Sequence, residues 1–165
     1  MKKILMMMAL AAMTMAVSAQ QKWAYQSDYD EGRACVKDAN GKWGHIDEQG
    51  KLVGQMWRNV KYFQEGLAPV ENQDELWGFV DKTGKVVIPC IYFNVGWFSE
   101  GLSAVALSED HSIKYGYIDK TGKVVIPLQW EEAYSFKNSK AKVQVKQDDG
   151  QRVWKIIDKT GKYVE

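Results

Sequence analysis

Short apolar stretches with a two-residue period recur along the chain. Ala34 and Val36, Ala68 and Val70, Ser103 and Val105, and Ala141 and Val143 each flank a single intervening residue. This spacing predicts strands with one buried face. Gly32, Gly66 and Gly101 stand two residues before three of these strands, with Ser139 at the fourth. Glycine there supplies a left-handed backbone position as the strand begins. A polar connection of variable length follows, containing Asn40-Gly41 in the first copy and Asp149-Gly150 in the last. Both dipeptides favour hairpin turns. A second strand is then predicted over 43–47, 77–81, 115–119 and 154–158. Each copy opens on an aromatic (Trp43, Trp77, Tyr115, Trp154) and ends on an Asp four residues later.

Those aspartates begin a tight turn. The pairs Asp47 and Gly50, Asp81 and Gly84, Asp119 and Gly122, and Asp158 and Gly161 recur at intervals of 34, 38 and 39 residues. Asp accepts hydrogen bonds from amides just ahead of it, and Gly takes the left-handed position, so a type I turn with a Gly bulge fits. A third strand over 86–88 and 124–126 is predicted to stop at Pro89 and Pro127, because proline cannot donate to a ladder. Next come Trp57, Val60 and Phe63; Tyr92, Val95 and Phe98; and Trp130, Ala133 and Phe136. Apolar residues three apart predict a helical or 3₁₀ turn that closes the unit. Gly44, Gly78 and Gly116 follow the second-strand aromatic, and we expect a neighbouring unit to press against them. Lys155 replaces Gly in the fourth copy.

The expected architecture is all-β: tandem three-stranded β-meander repeats at about 32–65, 66–100, 101–138 and 139–165. Residues 20–31 form a closing half-unit ahead of them. A lone meander cannot bury its apolar surface, so the units must stack. An open curved array is favoured, and a closed small propeller-like or barrel-like ring is the alternative.

The phrases Gly66-Leu-Ala-Pro-Val70, Trp77-Gly-Phe-Val-Asp-Lys-Thr-Gly-Lys-Val-Val-Ile-Pro89 and Phe98-Ser-Glu-Gly-Leu102 resemble the WG-repeat family, named for a Trp-Gly pair seen at Trp43-Gly44 and Trp77-Gly78. The resemblance weakens at Tyr115-Gly116 and Trp154-Lys155. It implies a bacterial β-repeat module, often exported, to which no general enzymatic activity belongs. It brings no functional residues with it.

The first nineteen residues have a different character. Lys2 and Lys3 precede an apolar run, and Val17-Ser18-Ala19 supplies small residues at a cleavage site. We read 1–19 as a signal peptide cleaved after Ala19, which implies a periplasmic or secreted product. Loss of Lys2 and Lys3 leaves 20 basic against 21 acidic side chains, a net charge near −1. Such a chain has no electrostatic footprint for nucleic acid. No later segment is apolar enough to read as a transmembrane helix.

Candidate chemistry is sparse. His45 occupies the position of Phe79 and Tyr117, where an aromatic substitute is the simpler reading than a general base. His111 lies in a variable loop, where exposed surface is the plain reading. No His, Cys or acid spacing matches a metal site, and no cofactor motif is present. Cys35 and Cys90 could form a disulfide in an oxidising compartment, though two small buried hydrophobes explain them as well. The repeated Asp residues are explained by their turns, and the Lys of Asp-Lys-Thr-Gly-Lys by solvated turn surface. The aromatic load is heavy, with seven Trp, eight Tyr and five Phe. Trp57, Tyr92 and Trp130 are candidate stacking platforms, but their consensus columns favour core. Trp97 and Tyr62 are better surface candidates, because Ser135 replaces them in the next copy. The expected function is an exported non-catalytic module that binds a protein or glycan at the bacterial envelope. An envelope enzyme such as a glycan hydrolase, with acids on loops between repeats, is the alternative.

Overall fold

The computed structural model describes residues 23–109 and 112–164. Among them the regular elements are sixteen strands in four antiparallel sheets of four. The first sheet holds β1 (Tyr25–Gln26), β2 (Ala34–Lys37), β3 (Trp43–Ile46) and β4 (Leu52–Trp57). The second holds β5 (Asn59–Val60), β6 (Leu67–Glu71), β7 (Trp77–Asp81) and β8 (Val86–Tyr92). The third holds β9 (Asn94–Val95), β10 (Leu102–Glu109), β11 (Ser112–Asp119) and β12 (Val124–Trp130). The fourth holds β13 (Glu132–Ala133), β14 (Lys140–Lys146), β15 (Arg152–Asp158) and β16 (Tyr163–Val164). Within every sheet the strands pair in chain order, and among the described residues no ladder closes the four into a barrel. The fold is an open array of tandem β repeats.

Two expectations are corrected. The Trp57-Val60-Phe63 segment and its copies are not helical turns. Each contributes a two-residue strand to the next sheet, as Asn59 and Val60 pair with Glu71 and Val70. Only Arg58, Phe93 or Glu131 separates one sheet from the next. A bend at that residue and irregular backbone after the short strand break the alternation. Trp57, Val60 and Phe63 therefore enter one core cluster from an extended chain. The units are thus four-stranded, not three-stranded.

Nor does proline end the third strand. β8 runs through Pro89 and β12 through Pro127. Trp77 pairs with Tyr92 while Phe79 pairs with Ile88, so extra residues of β8 bulge out around Pro89. A bulge tolerates the missing amide. The bulge also explains the glycine column. A Cβ on Gly78 would lie 2.5 Å from the Ile88 carbonyl oxygen and 2.7 Å from the Cys90 nitrogen, and Gly116 meets Ile126 and Leu128 in the same way. The close neighbour is the third strand of the same sheet, not another unit. Lys155 faces no such bulge, and its ammonium lies 4.7 Å from the Tyr163 ring centre.

Stacking follows from two buried faces in the second and third sheets. All of β6 from Leu67 to Val70 is buried, as are Trp77 to Val80. One face packs backwards and the other forwards. Ile118 and Val105 of the third sheet join Phe79 and Ile88 of the second in one cluster. Ala141, Val143 and Ile157 of the fourth join Tyr117 and Ile126 of the third in another. At each junction a phenylalanine of the incoming sheet meets a ring of the preceding one edge-on or tilted: Phe63 on His45 at 4.7 Å, Phe98 on Phe79 at 4.9 Å and Phe136 on Tyr117 at 4.8 Å. Such pairs contribute about 0.5–1.5 kcal/mol beyond the area they bury.

The glycine column gives a direct check. Gly78→Ala forces a methyl into backbone and should cost about 1–3 kcal/mol. Gly96→Ala, whose nearest neighbour would be Ser135 Oγ at 3.5 Å, should cost less than half as much. Urea denaturation of the two variants measures the difference.

Candidate functional site

Each repeat aspartate is engaged by its own turn. Asp81 Oδ1 accepts from Thr83 N at 2.8 Å, Thr83 Oγ1 at 2.6 Å and Lys85 N at 3.1 Å. Asp119 and Asp158 repeat the three bonds, and Asp47 keeps the two from Gln49 N and Lys51 N. The threonine hydroxyl leads in holding the Asp81, Asp119 and Asp158 carboxyls below their ordinary value, and the turn amides add to it. Gly50, Gly84, Gly122 and Gly161 all take positive φ and donate back to the Asp carbonyl.

A second column was not read from the sequence. Glu31, Glu65 and Glu100 adopt φ of 48°, 53° and 54° immediately before a residue that is also left-handed. Two such residues in a row make the tight primed hairpin turn that joins the short first strand to the second. Glutamate is costly there, and its carboxylate shows why it is used. Glu31 accepts from Glu65 N at 2.7 Å and Gly66 N at 2.9 Å, the amides of the next unit's equivalent turn. Glu65 accepts from Gly101 N at 3.1 Å, and Glu100 from Ser139 N at 3.0 Å. Lys82, Lys120 and Lys159 complete the clamps at 3.1, 3.1 and 3.0 Å. These three lysines were expected to be solvated turn surface; they tie neighbouring sheets together instead. Asn138 ends the ladder at the fourth turn, again at positive φ. The legible signal was a Glu directly before Gly in three successive copies.

The aromatic candidates separate by burial. Trp57, Tyr92 and Trp130 lie in the core clusters and offer no face to a ligand. Trp97 is 38% exposed and Tyr62 41% exposed. Beside them is a residue that drew no attention in the sequence, Lys61. Its ammonium donates to the Val95 carbonyl at 2.8 Å and lies 4.7 Å from the Trp77 ring centre and 5.4 Å from that of Trp97. Burial pushes the Lys61 pKa below its ordinary value. Tyr62 adjoins Tyr25, whose phenol is pushed up chiefly by the nearby Tyr62 hydroxyl. His45 is buried, with Nε2 2.9 Å from the Lys61 carbonyl oxygen, and burial lowers its pKa.

The chain matches the family model described as WG containing repeat over residues 43–75, 77–108 and 115–147. It belongs to the WG-repeat family. A comparison with curated proteins found no match. Among solved structures, the chain resembles the crystal structure of the computationally designed Ika4 protein at 15% identity and a TM-score of 0.45, over 76% of this chain and 86% of the other.

In this WG-repeat chain the Trp-Gly pair is a folding device. Trp77 packs in the core while Gly78 admits the bulge of β8. The disulfide considered between Cys35 and Cys90 is not formed. Both are free thiols on the same core cluster. The Cys35 amide donates to Ser27 Oγ at 2.9 Å, and Cys90 Sγ lies 3.7 Å from the Val70 carbonyl oxygen. Burial pushes the Cys35 thiol up to about 11 and raises that of Cys90. His111 lies outside the described residues. Among the described residues no group of three or more His, Cys, Asp or Glu gathers as a metal-ligand set.

A polar cavity of about 400 Å³ between the third and fourth sheets is lined by Glu131, Glu132, Tyr115 and Arg152 among others. It brings two acids together, as does a cavity lined by Asp30, Glu31 and Glu65, where Glu31 and Glu65 are already held in the clamps. Glu131 is ion-paired with Lys114 and lies 3.9 Å from Arg152. The Lys114 hydrogen bond leads in holding its carboxyl below the ordinary value. A general acid for glycoside cleavage needs the opposite shift.

The glutamate clamps make a pH prediction. Burial opposes the shift at Glu31 and Glu65, but the lysine and the turn amides outweigh it, while at Glu100 the Lys159 hydrogen bond leads. Folded values below the unfolded one, about 4.3, contribute stability that is present above that pH and lost as pH falls through the folded values. Urea midpoints followed from pH 7 down to about pH 3 should show a shallower acid limb in Glu31→Gln/Glu65→Gln/Glu100→Gln than in the wild type. Some slope should persist from Asp81, Asp119 and Asp158.

Proposed function

We propose that this chain is an exported, non-catalytic WG-repeat module that binds a protein or glycan at the bacterial envelope through aromatic side chains left on the outside of the stack. One observation carries the reading. The residues repeated in every unit are consumed by folding, whereas Trp97 and Tyr62 stand on the surface outside that use.

The carboxylates support the same reading. A hydrolase needs an acid with a raised pKa and a second acid free to act. The repeat aspartates are each engaged by their own turns through Oδ1, and Glu131 is held by Lys114 and Arg152. Trp97 has the properties of a binding anchor: a large ring, an immobilised neighbour in Lys61 and a free edge. Such aromatics dominate binding energy where they are found at interfaces. The basic and apolar start of the sequence, with Val17-Ser18-Ala19 behind it, supports delivery outside the cytoplasm.

Two measurements test the proposal. Fractionation of cells expressing the full chain should find a product shortened by about the leader in the periplasm or medium; full-length protein confined to the cytoplasm would sink the export half. Glycan-array and envelope pull-down binding should yield a ligand whose affinity falls tenfold or more in Trp97→Ala, with the urea midpoint little changed.

A further inference from the structure

The fourth sheet differs from the others on one face only. In β6 and β10 the residues on both faces are buried, but β14 alternates exposed Lys140, buried Ala141, exposed Lys142 and buried Val143. Its inward face packs on the third sheet. Its outward face corresponds to the one that elsewhere receives the next unit. There Lys140 replaces Leu67 and Leu102, Lys142 replaces Pro69 and Ala104, and Ile156 stands where Phe79 and Tyr117 are fully buried. Around Ile156 lies a groove of about 340 Å³, walled by Tyr134, Ser135, Lys137, Lys140 and Lys142 and containing no acid.

A polar outer face is what a terminal repeat needs for solubility, and lysines alone would meet that need. The aromatics exceed it. Tyr134 is 49% exposed and Trp154 36% exposed, with ring centres 5.1 Å apart. The Tyr117 hydroxyl donates to the Tyr134 carbonyl at 2.7 Å and fixes that wall from beneath. Lys142 lies 4.7 Å from the Trp154 ring centre. None of Lys137, Lys140 or Lys142 is ion-paired among the described residues.

We propose that this outward face of the fourth sheet binds an anionic polysaccharide rich in uronic acids, with Lys137, Lys140 and Lys142 meeting the carboxylates and Tyr134 stacking on the pyranose face. The assignment deepens the binding reading above and rests on it. Lys140 and Lys142, two residues apart on one strand, are separated by roughly 7 Å, and their flexible stems let both ammonium groups reach carboxylates along one sugar chain. A second copy of this chain is a poorer occupant. The face of the first sheet that would dock there, formed by Ala34, Val36 and Ile46, is already buried, with Trp23 packed on it. An acidic peptide would use the lysines and leave Tyr134 and the concave floor idle.

The test uses the full mature chain in titrations with polygalacturonate, a neutral galactan and poly-glutamate. Polygalacturonate should bind in a salt-sensitive manner, and the other two at least tenfold more weakly. Lys140→Glu/Lys142→Glu should abolish binding, Lys140→Gln/Lys142→Gln should weaken it at least tenfold, and Tyr134→Ala should weaken it several-fold. All of these positions are exposed, and circular dichroism confirms that each variant is folded. Equal binding of poly-glutamate, retention of binding in the lysine variants, self-association in place of polymer binding, or no binding of polygalacturonate would each overturn the proposal. A ligand lost in Trp97→Ala alone would leave the wider binding reading standing, and the absence of any ligand would end both.

Discussion

A small β-sheet that is apolar on both faces has no stable existence by itself, and this constraint shapes the whole molecule. At each of the three junctions the later sheet offers small and branched apolar residues, and the earlier sheet a ring or small apolar residue. The edge-on pairs Phe63 with His45, Phe98 with Phe79 and Phe136 with Tyr117 mark the points where one sheet is seated in another. Burial of that surface provides the main driving force, and the pairing of rings fixes the seating. His45 shows that the column requires a flat ring more than an apolar one. It is accepted because its nitrogen reaches the Lys61 carbonyl and burial keeps it neutral.

Hydrophobic stacking does not by itself set the angle or offset between sheets. Directional contacts at the rim do this. The glutamate of one tight turn accepts the amides of the equivalent turn one sheet on, and a lysine from the following Asp-Lys-Thr-Gly turn closes the clamp. Exposed ion pairs contribute little individually. Their regular repetition, combined with backbone strain at Glu31, Glu65 and Glu100, is the mark of a positional role. The ladder stops at Asn138, in the same sheet whose outward face turns from apolar to cationic.

The repeat register, the all-β class and the Asp-to-Gly turns were legible because a two-residue period and turn dipeptides are local signals. The fourth strand was not. A bend at Arg58 shifts the phase of the side chains, so an extended segment presents Trp57, Val60 and Phe63 at a helix-like spacing. Pro89 misled for a related reason: the bulge that accommodates it is defined by Gly78 on the neighbouring strand, a pairing invisible without the register. The clamps were hidden because Glu31 and Lys82 lie far apart in sequence and only the stack joins them. For the site, burial of the Trp57 column and exposure of Trp97 depend on which rings the next sheet covers. Lys140, Lys142 and Ile156 matter because no sheet among the described residues covers them.

The central claim is that cohesion resides at the junctions between sheets, and amide hydrogen exchange of Phe98→Ala tests it most directly. Truncation of a buried phenylalanine costs about 3–5 kcal/mol, so protection should fall by roughly a hundredfold or more, foremost in the second and third sheets that Phe98 joins. Tyr62→Ala, on the exposed side of the same kind of segment, should leave the pattern nearly unchanged. If the two variants lose protection equally, or if Phe98→Ala loses little, the sheets do not depend on one another in the way described and the account fails.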